Sequence, residues 1–340
     1  MTVVAIVPAY PPRSRVGAWL ATHELLADLA RHGHPVSAYT TLAKDPPYDI
    51  DGVHVERAVS GPALNTAVAR CDVIVSHAGD TTGRPSALAA RWSKPNVRMV
   101  HGAVRDQASI EGAAMLVFNS HSLRSTCGSP PGSIVVHPPV FPDRHATVPG
   151  DRVTLVNLSY PKGGSLFWRL ARYLEDVEFL GVRGGYGNQL HDHRLRNVDT
   201  MATATDMRSV WSRTRVLLMP SVAETWGMVG VEAFASGIPV IAHPTPGLLE
   251  SLGPAGIFVD RDEPYGWVAE IRRLQDPEEW AAASARALAR SAQLDQHVSL
   301  AAFRAALDTL ITTGAAPTCE PSYSSHSAPM AAAAISCSPG

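Results

Sequence analysis

The sequence predicts an α/β protein of two consecutive domains, each a doubly wound parallel sheet. Three observations carry this. Short all-apolar runs alternate with amphipathic segments, a proline-rich stretch interrupts the alternation near mid-chain, and the same alternation then resumes. At 340 residues with 45% hydrophobic content, the chain exceeds one average core and suits two.

The first run, residues 3–7, is Val-Val-Ala-Ile-Val, apolar on both faces as a strand inside a parallel sheet must be. A loop with Pro8, Pro11 and Pro12 follows. An amphipathic helix over about 17–32 then places Leu20, Leu25, Leu26 and Leu29 on one side, and Gly33 stops it. Residues 35–39 form the second strand. Strands at 53–55, 73–75, 97–100 and 115–118, with helices near 62–70 and 84–92, continue the pattern. The stretch from His137 to Pro142, running on to Gly150, is too rich in proline for a ladder, because proline has no N–H to donate. It reads as the interdomain linker and divides the chain into domains 1–142 and 143–296.

The second cycle has strands at 153–158, 177–182, 216–219, 239–242 and 257–259, and helices near 164–174, 264–275 and 277–291. A last helix near 297–312 can fold back across the first domain. From about 313 the composition collapses to Ala, Ser, Pro and Thr. A tail of that kind buries too little apolar surface to offset its ordering entropy, so 313–340 is expected to be disordered.

Charge is nearly balanced, with 29 basic and 31 acidic residues, which gives no reason to expect a generic nucleic-acid coat. The four cysteines, Cys71, Cys127, Cys319 and Cys337, form no CxxC pair. That argues against a disulfide framework or a zinc site and fits a reducing compartment. The run at 3–7 is too short for a signal-peptide core, and no stretch nears the roughly 18 apolar residues of a membrane span. The expectation is a soluble, cytoplasmic protein.

The most informative segment runs from Pro220 to Ile241. A strand ends at Pro220, a loop delivers Glu224, Gly227 permits a tight turn, and a helix begins. Free N–H groups at Gly227, Met228 and Val229 would then face the carboxyl end of the sheet, a favourable place for a diphosphate. Glu232 sits about one turn into that helix among Val231, Ala233 and Phe234, so a solvated face does not explain it. Both carboxylates can accept hydrogen bonds from sugar and ribose hydroxyls. Lys162, beside Gly163 and Gly164 just past the first strand of the second domain, can bring a point charge to a phosphate.

Glu224 and Glu232 with the continuation Ala233 to Val240 resemble the E-x7-E signature of the retaining GT-B glycosyltransferases, family four in particular, and Lys162-Gly163 resembles that family's KG element. The resemblance covers residues 1 to about 312. It implies two Rossmann-like domains facing a cleft and transfer of a sugar from a nucleotide diphosphate-sugar to an acceptor hydroxyl. It further implies retention of configuration, with neither metal nor cofactor. Carried over by position, Glu224 faces the donor sugar's hydroxyls. Thr225, Trp226, Gly227, Met228 and Val229 hold the sugar and diphosphate, Glu232 binds the ribose, and Lys162 neutralises phosphate. His101, after the strand at 97–100, matches a histidine that contacts the donor sugar. Gly17 matches the glycine-rich loop of the first domain, and Asn119 to Ser122 match a segment lining the cleft. Asn157, Gly163 and Gly184 complete the donor side.

The sequence departs from the family in one place. The arginine that often precedes the lysine is missing, since the strand end reads Asn157-Leu158-Ser159. Either Lys162 and the helix terminus suffice, or Arg183 compensates. Arg13 and Arg15 meet either the acceptor or solvent. The acceptor stays open among small molecules, glycans, lipids, proteins and modified nucleic acid. The competing readings are a sugar-nucleotide epimerase or phosphorylase on the same architecture, and a non-catalytic sugar-nucleotide or glycan-binding protein.

Three short patterns read as ordinary loops. Asp49-Ile50-Asp51 spells a metal-binding DxD but precedes Gly52 like a turn. Asp260-Arg261-Asp262 is expected to be a solvated turn, and His191-Asp192-His193 lacks a third ligand at workable spacing. No GxSxG, HExxH or P-loop pattern occurs.

Overall fold

The computed structural model describes residues 1–42, 46–58, 62–79, 82–102, 110–192 and 194–317. The first domain runs β1 (Val3–Val7), α1 (Gly17–Arg31), β2 (Val36–Thr40), β3 (Tyr48–Ile50), β4 (Val53–Arg57), α2 (Pro62–Arg70) and β5 (Val73–His77). It continues through α3 (Arg84–Trp92), β6 (Asn96–Val100), β7 (Met115–Phe118), α4 (His121–Thr126) and β8 (Ser133–Val135). These strands make one sheet in the order β3-β4-β2-β1-β5-β6-β7-β8, parallel except for β3 against β4. All five residues of β1 are buried, as expected of a central strand covered on both faces.

The second domain runs β9 (Arg152–Val156), α5 (Gly164–Tyr173), β10 (Phe179–Val182), β11 (Val198–Met201), α6 (Arg208–Trp211) and β12 (Thr214–Met219). It continues through α7 (Met228–Phe234), β13 (Val240–Ala242), α8 (Pro246–Leu252), β14 (Ile257–Phe258), α9 (Pro264–Arg273) and α10 (Pro277–Gln293). Its sheet, β11-β10-β9-β12-β13-β14, is parallel throughout. In each sheet the chain changes direction beside its first strand, between β1 and β5 and between β9 and β12. Crevices open at the carboxyl ends of the strands at such switch points. This is the GT-B arrangement of two Rossmann-like domains.

The last helix, α11 (Gln296–Thr313), returns to the first domain. Its Leu300, Phe303, Ala306, Leu307 and Leu310 join the core that holds Leu25, Leu26 and Leu29 of α1. Arg304 pairs with the buried Asp28 carboxylate, which fixes the helix laterally as well as by apolar burial.

Some elements differ from the sequence reading. Three strands lack an expectation: β3, β8 and β11 have three or four residues each, and β3 and β11 are partly exposed edges whose mixed composition hides them. Asp49 and Ile50 belong to β3 instead of a turn, and Asp51 then turns with φ 49°. The strand expected over 153–158 ends at Val156, because Asn157 leaves the sheet with φ 71°. The tail does not begin at 313. Thr313 is helical, Gly314 closes the helix at φ 73°, and Ala316 packs against the first core. Residues 318–340, with Cys319 and Cys337, lie outside the described residues. Among the described residues no helix is long and apolar enough to cross a membrane.

Candidate functional site

A cavity of about 470 Å³ opens between the two sheets and takes its walls from both domains. Most site residues expected from sequence line it; Gly163 does not, and of the segment from Asn119 to Ser122 only Asn119 does. From the first domain come Gly17 and His101, with Arg15 and Asn119 beside them. From the second come Asn157, Lys162, Arg183, Gly184, the run from Glu224 to Val229, and Glu232.

Glu224 and Lys162 meet directly. Lys162 Nζ donates to Glu224 Oε1, and the Ser221 hydroxyl donates to the same oxygen at 3.0 Å. Burial alone would depress the Lys162 pKa. The Glu224 charge outweighs it, with Tyr186 assisting, so the pKa stands above its ordinary value and the ammonium is fully charged at neutral pH.

Thr225 holds the Glu224 loop against the first domain. Its hydroxyl donates to the His101 carbonyl at 2.8 Å and accepts from Asn119 Nδ2 at 2.8 Å. Trp226 is buried and stacks on His137 at 4.2 Å between ring centroids. Gly227, at φ 79°, starts α7, and a Cβ there would run into Leu248. Gly17 comes so close to Met228 that an added Cβ would lie 3.3 Å from its sulfur, which makes the cleft narrow at this point.

Glu232 is only 6% exposed and makes no side-chain hydrogen bond among the described residues. Burial lifts its pKa to about 7, with the Arg15 charge pulling the other way. His145 Nδ1 lies 4.0 Å from its carboxylate. Burial, helped by Arg144, lowers the His145 pKa to about 4, so the ring is neutral at pH 7. A buried, cleft-facing carboxylate without a hydrogen bond is costly unless something binds it.

His101 is half-buried, stacked on His77 with centroids 5.3 Å apart. Its Nε2 lies 3.3 Å from the Thr22 hydroxyl oxygen, whose own proton goes to the Ala18 carbonyl, so Nε2 carries the ring hydrogen. Burial, then the neighbouring His77, lower its pKa to about 3, and the ring is neutral.

Gly163 has a packing role. Its φ is 94° and a Cβ would overlap Pro220, so the Lys162 turn and the Glu224 loop approach as closely as only glycine allows. Asn157 is chiefly a brace. Its Oδ1 accepts from Ser159 N at 3.1 Å and Gln189 Nε2 at 2.9 Å, and Gly184 sits against its side chain. Gln189 had no sequence signal, yet it shapes this wall. Its Oε1 accepts from Leu158 N and Gly184 N, each at 2.9 Å, and its Nε2 also reaches the Tyr186 and Gly187 carbonyls. Arg183 is exposed at the rim and forms no ion pair among the described residues.

Asp49 accepts from His54 and Asp51 from His23, each at 2.9 Å, at the far edge of the first sheet. Arg261 corrects the solvated-turn reading of Asp260-Arg261-Asp262, because its guanidinium reaches the Pro220 and Tyr160 carbonyls at 2.9 Å each. His193 lies outside the described residues. Asp192 is held well below the usual carboxylate range by Arg194 and then Arg172. Those two arginines line a second, shallow pocket over α5 that shares no lining residue with the cleft, and their charge is spent on Asp192. His121 and His137 gather around Glu250, but its oxygens already accept from His121 N, Ser122 N and His137 Nε2. The group ties the domains together.

Residues 166–289 match the family described as Glycosyl transferases group 1, and that span contains most of α5, the Glu224 loop and α7. Residues 166–289 thus match a glycosyltransferase domain, and the two-domain fold is GT-B. Among similar proteins, a D-inositol 3-phosphate glycosyltransferase of Mycobacterium sp. (strain KMS) is 27% identical over 72% of this chain and 74% of its own. One from Corynebacterium kroppenstedtii is 37% identical, over 22% of this chain and 17% of that protein's length. Among solved structures, sucrose-phosphate synthase from Thermosynechococcus elongatus superposes with a TM-score of 0.72 at 15% identity, over 92% of this chain and 100% of that one. Anabaena HepE in complex with UDP-glucose gives 0.73 at 16% identity, over 91% and 100%. The matched segment supplies the cleft wall from Val182 to Glu232, the turns just before it supply Asn157 and Lys162, and the first domain supplies the opposite wall.

Proposed function

We propose that the cleft binds a nucleoside diphosphate-sugar and transfers its sugar to an acceptor hydroxyl with retention of configuration, without a metal, in the E-x7-E manner. The observation that carries this is the convergence, in one two-domain cavity, of the Lys162–Glu224 pair and the buried Glu232, which makes no hydrogen bond among the described residues. Relatives and neighbours that act on sugars, HepE with UDP-glucose among them, support the donor class.

In this reading Glu232 accepts from the ribose hydroxyls, which relieves its burial cost. Lys162, Arg183 and the N–H groups at the start of α7 face the diphosphate. As the bond from the anomeric carbon to the phosphate oxygen breaks, charge grows on the β-phosphate, and fixed cations and N–H groups stabilise that state selectively. The acceptor oxygen then bonds the anomeric carbon on the face that the phosphate leaves, and its proton passes to a phosphate oxygen. Glu224 and neutral His101 position the sugar. The donor set favours metal independence, because Lys162, Arg183 and Arg15 supply the cations that a metal otherwise would. The acceptor enters from the first domain, beside Arg15 and His101.

Incubating the protein with a panel of nucleotide-sugars and following product by NMR tests this. Wild type is expected to release nucleoside diphosphate and give product with the donor's anomeric configuration, and Glu224→Ala is expected to lose at least about a hundredfold in rate. Inverted product defeats the retaining mechanism, and equal rates in the two proteins defeat the role of Glu224.

A further inference from the structure

We propose that Arg261, outside the cavity, is a positioning residue that sets the Lys162–Glu224 pair. The inference rests on the reading of that pair given above. Arg261 follows β14 and points back under the cleft. Its Nη2 donates to the Tyr160 carbonyl at 2.9 Å, while Nη1 donates to the Pro220 carbonyl at 2.9 Å and reaches Pro161 O at 3.4 Å. The guanidinium carbon also sits 5.3 Å from the centroid of the Tyr160 ring. One planar group therefore binds the turn just before Lys162 and the start of the loop that carries Glu224.

These two segments are 58 residues apart in sequence, from Lys162 to Pro220, and neither lies in a strand or an α-helix. Besides Arg261, the ties between them are Val222 N to Pro161 O at 2.9 Å, the close packing of Gly163 on Pro220, and the Lys162–Glu224 contact itself. A cation giving charge-assisted bonds to neutral carbonyls is stronger than any neutral donor there. The fork geometry matters too, because carbonyls from two segments need two separate N–H directions, which an ammonium on a flexible stem does not hold in place.

Arg261 is itself anchored. Its N–H donates to His243 Nδ1 at 3.1 Å, and the following turn is closed by Asp262 N on Asp260 Oδ1 at 2.8 Å and by Trp267 Nε1 on the Asp260 carbonyl at 2.8 Å. It forms no ion pair with a carboxylate among the described residues, so its charge is directed at the carbonyls.

The test compares full-length wild type, Arg261→Lys and Arg261→Ala in three measurements. The first two are the acylation rate of Lys162 by an amine-reactive reagent, read by mass spectrometry, and deuterium uptake of residues 160–164 and 220–225. The third is turnover of UDP-glucose as probe donor. Arg261→Ala is expected to raise Lys162 labelling and uptake in those two segments alone. It should lower kcat by about tenfold with little change in KM, with partial recovery on adding guanidinium, and Arg261→Lys should not restore the pair. Unchanged labelling and uptake, or uptake raised throughout the second domain, overturns the proposal. If wild type is inert towards UDP-glucose, that counts against this donor, and the labelling and uptake still decide the role of Arg261.

Discussion

Glu232 shows how a single residue links the cleft to stability. Its folded pKa is raised to about 7, so the folded protein keeps a proton that the unfolded chain has already released. Below the ordinary carboxyl range the group is protonated in both states and contributes nothing. As pH rises towards 7, the unfolded state gains, and the ligand-free protein should lose up to about 3 kcal/mol. Glu232→Gln removes this contribution, while the buried neutral His101 and His145 act equally in both proteins, so between about pH 5 and about pH 8 urea unfolding should show the variant gaining about 2 kcal/mol relative to wild type. Parallel lines would contradict the raised pKa of this buried carboxylate. Glu224, Glu232 and Lys162 were legible in sequence because their spacing and glycine neighbours sit within short segments. Gln189 and Arg261 were not, since the first meets Asn157 from 32 positions away and the second meets Tyr160 from 101. Gly163 was legible as a special residue, but what it avoids, the Pro220 ring, is visible only in three dimensions.

At the scale of elements, α8 and α4 lock across the domain boundary. Glu250 accepts from His121 N and Ser122 N at 2.8 Å each and from His137 Nε2 at 3.0 Å, and His137 in turn stacks on Trp226. Burial alone would raise the Glu250 pKa, but the bonds from His137 and the two amides outweigh it and the net shift is downward. A depressed carboxyl pKa stabilises the fold above its unfolded value, and that stability is lost as pH falls. Glu250→Ala should cost about 1–3 kcal/mol and let the domains part, read as a lower Tm and a larger radius of gyration by small-angle scattering. An unchanged radius would show that the domains are held elsewhere. The long central elements were readable from apolar runs and helical spacing. β3, β8 and β11 escaped because three or four residues carry too little periodicity, and an edge strand has only one neighbour to select its residues.

Over the whole molecule, α11 closes the chain on its starting domain, so the linker and the last helix both cross the boundary and the cleft is held from two sides. Repeated strand–helix alternation was enough to indicate two parallel sheets, because every buried parallel strand must be apolar on both faces. The tertiary contacts that narrow the cleft, such as Gly17 against Met228 and Thr225 on the His101 carbonyl, join residues from opposite domains and leave no local pattern. The most direct measurement is thermal unfolding in the presence of UDP-, GDP-, ADP- and dTDP-sugars, for wild type beside Lys162→Ala and Glu232→Ala. The account predicts that at least one donor raises the wild-type Tm progressively with its concentration, and that the rise shrinks sharply in both variants. A wild type indifferent to all four classes, or a rise that survives both substitutions, would contradict it.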